Sequence, residues 1–413
     1  MNVIVACDHH FERSPDGTVW AHGPLTHAFW SRYLPVFEKV RLVARVREIP
    51  KAPTNEQPAS GPGVEFIPVP DFTGPQQFIL RRRSIMKVAA GAIDRDDAVV
   101  LRAPTPVGNC LVPELRRTGR PFGMEVVGDP FDSFSANAVK HPLRRFFRWM
   151  FVRNLRNLCL SACGVSYVTE HALQRRYPPS PDAFSTHYSS IDLPASSFVS
   201  APRTGPISSP ARLLLVGTLA GLYKAPDVLI DAVALCVSRG LPLKLTIVGG
   251  GVHQQELQSR ATAHGLNGAV KFTGNLSDPA AVRDELDKSD LYVMPSRQEG
   301  LPRALIEAMA RGLPAISSTV GGIPELLPAE DLVPPNDVEA LAAKIAEVLA
   351  DPARLASESA RNLIKAREYC QDVLTPRRTA LYRHIRECTE GWLQGKSKLE
   401  TRSSKEVRKG SGN

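Results

Sequence analysis

Two glutamates, Glu299 and Glu307, stand with seven residues between them in the stretch LYVMPSRQEGLPRALIEAMARGLPAISSTVGG, residues 291–322. An apolar run over residues 291–294 is followed by a polar turn, a helical pattern opened by Pro302, and a second apolar run at Ala315 and Ile316. Proline suits a helix start because its missing N–H would have no partner there. The order is therefore strand, loop, helix and strand, with Glu299 in the loop and Glu307 inside the helix. Both carboxylates can flank a group lying over the helix N-terminus, where free N–H groups and the helix dipole favour an anion.

A cation and a set of glycines share this bias. Lys224 lies between Gly217 and the next helical pattern, placed to meet diphosphate charge; taken alone it would read as a solvated surface lysine. Gly217, Gly249, Gly250, Gly251 and Gly274 stand at the carboxyl ends of apolar runs, where a chain must turn tightly or approach a ligand closely. With Gly321 and Gly322 they suggest a cradle for phosphate or sugar. In the first half, Asp8, His9 and His10 follow the first apolar run, and Asp16, Gly17 and Gly23 lie in the loop beyond it. Arg102 and Asp129 follow later runs. Asp94 and Asp96 form the Asp-x-Asp pattern of metal-dependent sugar transferases, but they precede their strand, the wrong end for a ligand. No metal site is assigned to them.

These residues need a scaffold that gathers strand ends. Runs at 3–6, 40–44, 98–101, 123–127 and 165–168 are mostly uninterrupted by polar residues, as in a parallel sheet covered on both faces. Helical patterns at 26–37 and 78–92 lie between them. Residues 194–210, PASSFVSAPRTGPISSP, read as an exposed interdomain linker. The rhythm then restarts, with strands at 213–216, 243–248, 270–273 and 291–294 and helices at 226–238 and 278–288. The fold class is α/β, doubly wound, with ligands bound beyond the carboxyl ends of the strands.

Bulk properties agree. A chain of 413 residues exceeds one ordinary core and predicts two domains of roughly 150 to 200 residues. With 43% hydrophobic and 23% charged residues it reads as globular, and no apolar run approaches the roughly 18 residues of a membrane span. The opening MNVIVACDHHFER fits a buried first strand rather than a signal peptide, and seven scattered cysteines predict free thiols in a reducing cytoplasm.

A net charge of +9 invites an anionic partner. Lys140, Arg144, Arg145, Arg148, Arg153 and Arg156 are interleaved with Phe146, Phe147, Trp149, Met150 and Phe151, without an acid. At about 100° per residue most of the basic groups share one side, opposite Leu143, Phe147, Met150, Phe151 and Leu158. Such a helix over 143–158 could lie in a membrane interface, or pack its apolar side on the protein's own core. Arg81, Arg82, Arg83 and Lys87 form a second cluster in the same half. No nucleic-acid-binding motif is present, so no nucleic-acid partner is expected.

The segments LLLVGTLAGLYKAPDVLIDA, LTIVGGG, FTGNLSD and PSRQEGLPRALIEAMARGLPAISSTVGGIPELL together resemble the retaining GT-B glycosyltransferases of family GT4. The resemblance is strong over residues 211–378 and weaker before them, where EVVGDP resembles a subset of bacterial members. It implies two Rossmann-like domains facing across a cleft: an acceptor-binding domain over 1–200 and a nucleotide-sugar-binding domain over 201–375. It also implies a helix over 376–394 crossing back to the first domain; the basic tail over 395–413 is expected to be disordered.

Carried onto matching positions, the resemblance makes Glu299 the first glutamate of an E-x7-E motif, on the transferred sugar, and Glu307 the second, on the ribose. Backbone N–H groups from Gly300, Leu301, Pro302 and Arg303 (proline itself supplying none) would hold sugar hydroxyls and diphosphate, Lys224 the diphosphate, and Gly249 and Gly274 would border the nucleoside, with Gly217, Thr218 and Gly251 completing the donor-binding set. Thr218 stands where the family often has an arginine, so Lys224 must carry more of the leaving group's charge. The family's N-terminal histidine is not identifiable; Asp129, His9 or His10 could serve, with His9, His10, Asp16 and Gly17 as the acceptor-side set. The expected substrates are a UDP- or GDP-linked sugar and a hydroxyl acceptor, without a metal or cofactor; the expected location is the cytoplasm, with peripheral contact through the basic helix at the inner face of the plasma membrane. A GT-B phosphorylase, a sugar-nucleotide epimerase and an inactive nucleotide-sugar-binding protein are the alternatives.

Overall fold

The computed structural model describes residues 1–54, 56–134, 141–276 and 278–410, without the side chains of residues 75 and 397–410. Lys140 lies outside the described residues. The N-terminal sheet contains β1 (Val3–Arg13), β2 (Val19–Ala21), β3 (Val40–Glu48), β4 (Gln57–Pro58), β5 (Val64–Pro70), β6 (Ala98–Ala103), β7 (Gly123–Val126), β8 (Gly164–Tyr167) and β9 (Phe184–His187). Its helices are α1 (His27–Trp30), α2 (Gly74–Gly91), α3 (Pro106–Thr118), α4 (Pro130–Ser133), α5 (Arg144–Ser161) and α6 (Ala172–Arg176). The parallel strands run β5-β3-β1-β6-β7-β8-β9, while β2 and β4 add an antiparallel flap to the far end of β1.

The second sheet holds β10 (Ala211–Val216), β11 (Leu243–Val248), β12 (Val270–Gly274), β13 (Leu291–Met294), β14 (Ala315–Ser318) and β15 (Leu332–Val333). Around it lie α7 (Pro226–Ser238), α8 (Gln254–Ala263), α9 (Pro279–Asp287), α10 (Arg303–Ala310), α11 (Val338–Leu349) and α12 (Pro352–Arg367). All six strands are parallel in the order β12-β11-β10-β13-β14-β15, a doubly wound arrangement whose direction reverses between β10 and β13. Leu213, Leu215, Leu245, Ile247, Leu291, Val293 and Ile316 are buried in it, which accounts for the unbroken apolar runs.

The last helix, α13 (Gln371–Gly410), returns to the N-terminal domain. Tyr382 donates to Glu125 Oε1 at 2.9 Å, His384 Nε2 meets the Cys163 carbonyl at 3.0 Å, and Arg386 donates to the Val36 carbonyl at 2.7 Å. Gly123 makes the close approach possible, since a Cβ there would lie 2.0 Å from Ile385 Cδ1. The helix continues to Gly410, through most of the tail expected to be disordered.

Other differences have physical causes. Residues 194–210 are not a free linker: Arg203 donates to the carbonyls of Arg311, Ser289 and Leu286, and Val199 N–H to that of Ala310, tying the segment to the second domain. β1 continues to Arg13, so His9 and His10 lie within a strand, at the register shift between Ala6 and His10. The helix expected over 26–37 is only a turn of α-helix followed by a 3-10 turn. β5, with Pro68 and Pro70, pairs along β3 alone, an edge position that tolerates missing N–H donors.

Candidate active site

The loops after β10 and β13, the strands that flank the reversal of winding, carry the two charged candidates to one place. Lys224 Nζ lies 2.5 Å from Glu299 Oε1, with the side chains only 12% and 9% exposed. Ser296 Oγ donates to the same carboxylate oxygen at 2.9 Å. The aliphatic part of Lys224 lies over Gly217, where a Cβ would come within 3.0 Å of Lys224 Cγ. An arginine absent from the candidate set aligns the two loops. Arg297 forms a two-pronged pair with Asp227 at 2.8 and 2.7 Å, donates to the Leu222 carbonyl at 2.7 Å, and gives its backbone N–H to the Tyr223 carbonyl at 2.7 Å.

The glycines prove to be packing requirements of this floor. A Cβ on Gly249, whose φ is +133°, would lie 1.9 Å from the Gly217 carbonyl oxygen. Gly251 is wedged against the Leu219–Ala220 peptide, and Gly249 N–H donates to the Gly274 carbonyl at 2.9 Å. Gly321, at φ +54°, leaves room for the Glu299 carbonyl, to which a Cβ would be 1.9 Å distant. Thr218 serves its own loop, accepting from Ala220 N–H at 3.1 Å.

Pro302 is the N-cap of α10, and no side chain caps the helix, so its first N–H groups face the cleft without a side-chain acceptor. Glu307, one turn in, is held above the ordinary carboxyl range by burial, offset in part by Arg303 and Arg283. Arg303 is lowered by burial, against the pull of Glu307.

The N-terminal domain forms the opposite wall. Gly300 packs against Val127, with a would-be Cβ 3.0 Å from its carbonyl. Gln298 donates to Ser133 Oγ at 2.9 Å, and the Glu325 carboxylate accepts the N–H groups of Glu170, His171 and Ala172 at 2.6, 3.0 and 2.7 Å. One cavity of about 330 Å³ lies between Asp129 and Arg176 on one side and Glu299, Gly300, Gly321 and Gly322 on the other. A second, of about 360 Å³, is lined by Asp8, His9, Arg102 and Ser190 together with Leu301 and Arg303.

The N-terminal candidates divide. Asp129 lines the first cavity, but its carboxylate caps α4 through Phe131 N–H at 2.8 Å, accepts from Tyr177 Oη at 2.5 Å and pairs with Arg176. His9 lines the second; burial lowers it to about 4, and its Nε2 is buried without a hydrogen-bond partner. His10 instead pairs with Asp71 at 2.7 Å and lines neither cavity. Asp16 closes the β1–β2 turn by accepting from Ser14 Oγ at 2.5 Å and Thr18 N–H at 3.1 Å, with Gly17 at φ +87°. That turn is built for the flap, so His10, Asp16 and Gly17 do not join the cleft. Asp94 and Asp97 pair with Arg41 at 2.6 and 2.8 Å at the amino end of β6, away from it.

Comparison with known proteins agrees with this architecture. Residues 202–368 match the family model "Glycosyl transferases group 1". Protein CapJ of Staphylococcus aureus is 25% identical over 317 residues, 76% of this chain and 78% of CapJ. The amylovoran biosynthesis glycosyltransferase AmsK of Erwinia amylovora is 34% identical over 146 residues, 33% of this chain and 35% of AmsK. The structure of sucrose-phosphate synthase from Thermosynechococcus elongatus superposes with a TM-score of 0.69 at 16% identity, covering 93% of this chain and 99% of that one. With the cleft, the two mainly parallel sheets and the returning helix, these matches show that the chain has the GT-B fold and that its C-terminal domain is similar to the group 1 glycosyltransferases.

Proposed function

We propose that the protein is a retaining glycosyltransferase that moves a hexose or N-acetylhexosamine from a UDP- or GDP-linked donor to a hydroxyl acceptor, in the assembly of a bacterial polysaccharide, glycolipid or glycosylated natural product. The observation that carries this reading is the 2.5 Å meeting of Lys224 and Glu299 beside the uncapped N-terminus of α10. A cation, a carboxylate and free N–H groups then face one point of the cleft. The name of AmsK, a glycosyltransferase of amylovoran biosynthesis, supports a biosynthetic sugar transfer.

Cleaving a glycosyl phosphate bond develops positive charge on the sugar and negative charge on the departing diphosphate. Lys224 and the N–H groups at 300, 301 and 303 stabilise the departing charge in a site largely shielded from water. Glu299 accepts hydroxyl hydrogens of the transferred sugar, and Glu307 those of the ribose. The acceptor oxygen bonds to the anomeric carbon from the face the diphosphate leaves, and its proton passes to the departing phosphate oxygen. No enzyme nucleophile and no metal take part. On the acceptor side we assign contact to His9, neutral near pH 7, and give Asp129 the task of positioning α4 and Arg176.

Nucleoside diphosphate release from UDP- and GDP-sugars, with and without hydroxyl acceptors, tests the reading. Proton NMR of the product reports the anomeric configuration, and EDTA should leave the rate unchanged. An inverted product would overturn retention; sugar 1-phosphate or an epimerised donor would point to the phosphorylase or epimerase. No turnover of any nucleotide sugar would overturn transferase activity itself.

A further inference from the structure

No helix among the described residues is long and apolar enough to cross a membrane, yet the N-terminal domain exposes large apolar side chains in one region. Leu80 is 84% exposed and Ile79 69% on α2, while Trp149 is 58% and Phe146 52% exposed on α5, beside an exposed Leu143. Among soluble surfaces, clustered apolar side chains of this size mark an interaction site.

The topology brings the two helices to one face. The crossovers from β5 to β6, β6 to β7 and β7 to β8 all step in the same direction along the parallel sheet, and right-handed connections place α2, α3 and α5 together on one side of it. Asn154 of α5 donates to Asn109 of α3 at 2.8 Å, and Arg82 of α2 acts electrostatically on the Cys110 thiol of α3. Both outer helices begin at the carboxyl edge of the sheet, so Ile79, Leu80, Phe146 and Trp149, in their N-terminal halves, flank the cleft, while Leu160, 45% exposed, lies at the far end of α5.

Charge selects the partner. Arg81, Arg82, Arg83 and Lys87 on α2 and Arg144, Arg145, Arg148, Arg153 and Arg156 on α5 are accompanied by no acidic residue on either helix. Arg148 stacks on Phe131, but Arg81, Arg82, Arg83, Lys87, Arg145, Arg153 and Arg156 are exposed. The C-terminal half of α5 buries Leu155, Leu158 and Cys159, which anchors the helix and leaves its aromatic start projecting. Core packing therefore concentrates in the C-terminal half, although Leu160 there is exposed, and the exposed aromatic side chains lie in the N-terminal half. Basic side chains with Trp, Phe and Leu at one level match the headgroup and upper acyl region of a negatively charged bilayer.

We propose that the α2–α5 face docks on an anionic phospholipid surface, setting the acceptor side of the cleft against the membrane. Full-length protein is sedimented with vesicles of phosphatidylcholine alone or mixed with phosphatidylglycerol, at low and high salt. Binding to the mixed vesicles should exceed that to phosphatidylcholine by about tenfold and weaken with salt. The Phe146→Ser/Trp149→Ser and Arg81→Ser/Arg82→Ser/Arg83→Ser variants should each lose about tenfold, while Ile364→Ser, on the other domain, should bind as wild type. Circular dichroism verifies that the variants fold. No sedimentation with phosphatidylglycerol at low salt, wild-type binding by the α2 and α5 variants, a loss by Ile364→Ser equal to theirs, or displacement from vesicles by RNA at equal charge would overturn the proposal. The measurement reads binding, so its result is independent of whether transfer is found.

Discussion

Lys224 Nζ and Glu299 Oε1 meet at 2.5 Å although 75 residues separate them in the chain. Each neutralises the other where little water reaches, and removing one leaves a mostly buried charge unpaired. Lys224→Ala should lower kcat/KM by about a hundredfold or more while the protein stays folded. Lys224→Ala and Glu299→Ala should be non-additive in stability, with a coupling of about 2 kcal/mol in a double-mutant cycle by urea denaturation. Near wild-type turnover by Lys224→Ala would refute its assigned role.

The glycine floor makes a steric prediction. Gly249 and Gly240 both have positive φ, +133° and +86°, but only Gly249 faces a carbonyl oxygen at 1.9 Å, whereas Gly240 has open space around it. Gly240→Ala should cost only about 1–2 kcal/mol, the left-handed backbone penalty. Gly249→Ala must also displace the Gly217 loop, and should cost more than about 3 kcal/mol and abolish nucleotide binding. Calorimetric titration with UDP and GDP, alongside thermal melts, compares the two.

Glu325 accepts three consecutive N–H groups at the start of α6 in the other domain. Glu325→Ala removes that cap, worth about 1–2 kcal/mol by analogy with helix caps, from the interdomain contact. A larger radius of gyration by small-angle scattering and an approximately tenfold fall in kcat/KM are expected, with each domain's fold retained. An unchanged scattering profile would show that other contacts hold the cleft closed.

His9 gives the protein an acid-side sensitivity. Burial lowers it from 6.5 to about 4, so the folded state favours the neutral ring while the unfolded chain takes up a proton near 6.5. The sign is that of a depressed group: its contribution is present above pH 6.5 and is lost as the pH falls towards about 4. After allowance for its partial exposure this amounts to about 2 kcal/mol. His9→Phe should therefore lose less stability than wild type between neutral pH and the low end of that window, as read by melting temperature.

Much of the second domain was legible because each buried parallel strand is a local apolar run. α7, β11 and β13 have the bounds expected, and glycines mark the strand ends. The first domain was less legible. β5 hides behind Pro68 and Pro70, tolerated only at the sheet edge, and β1 runs through the charged and polar residues of DHHFER because β2 and β3 pair with them. Arg297, Glu325 and Arg203 gave no local signal, since their partners lie 70, 155 and 108 residues away or comparably far.

By itself, then, the sequence determined the α/β class and the strand, loop and helix order around Glu299 and Glu307, because strand periodicity, helix starts and glycine positions are local properties. Tertiary structure decided which side chains meet. It paired Lys224 with Glu299, tied Asp129 into a helix cap, left His9 beside a cavity while engaging His10 and Asp16 elsewhere, and divided α5 between core and surface. Those outcomes depend on packing between distant segments, for which adjacent residues carry no pattern.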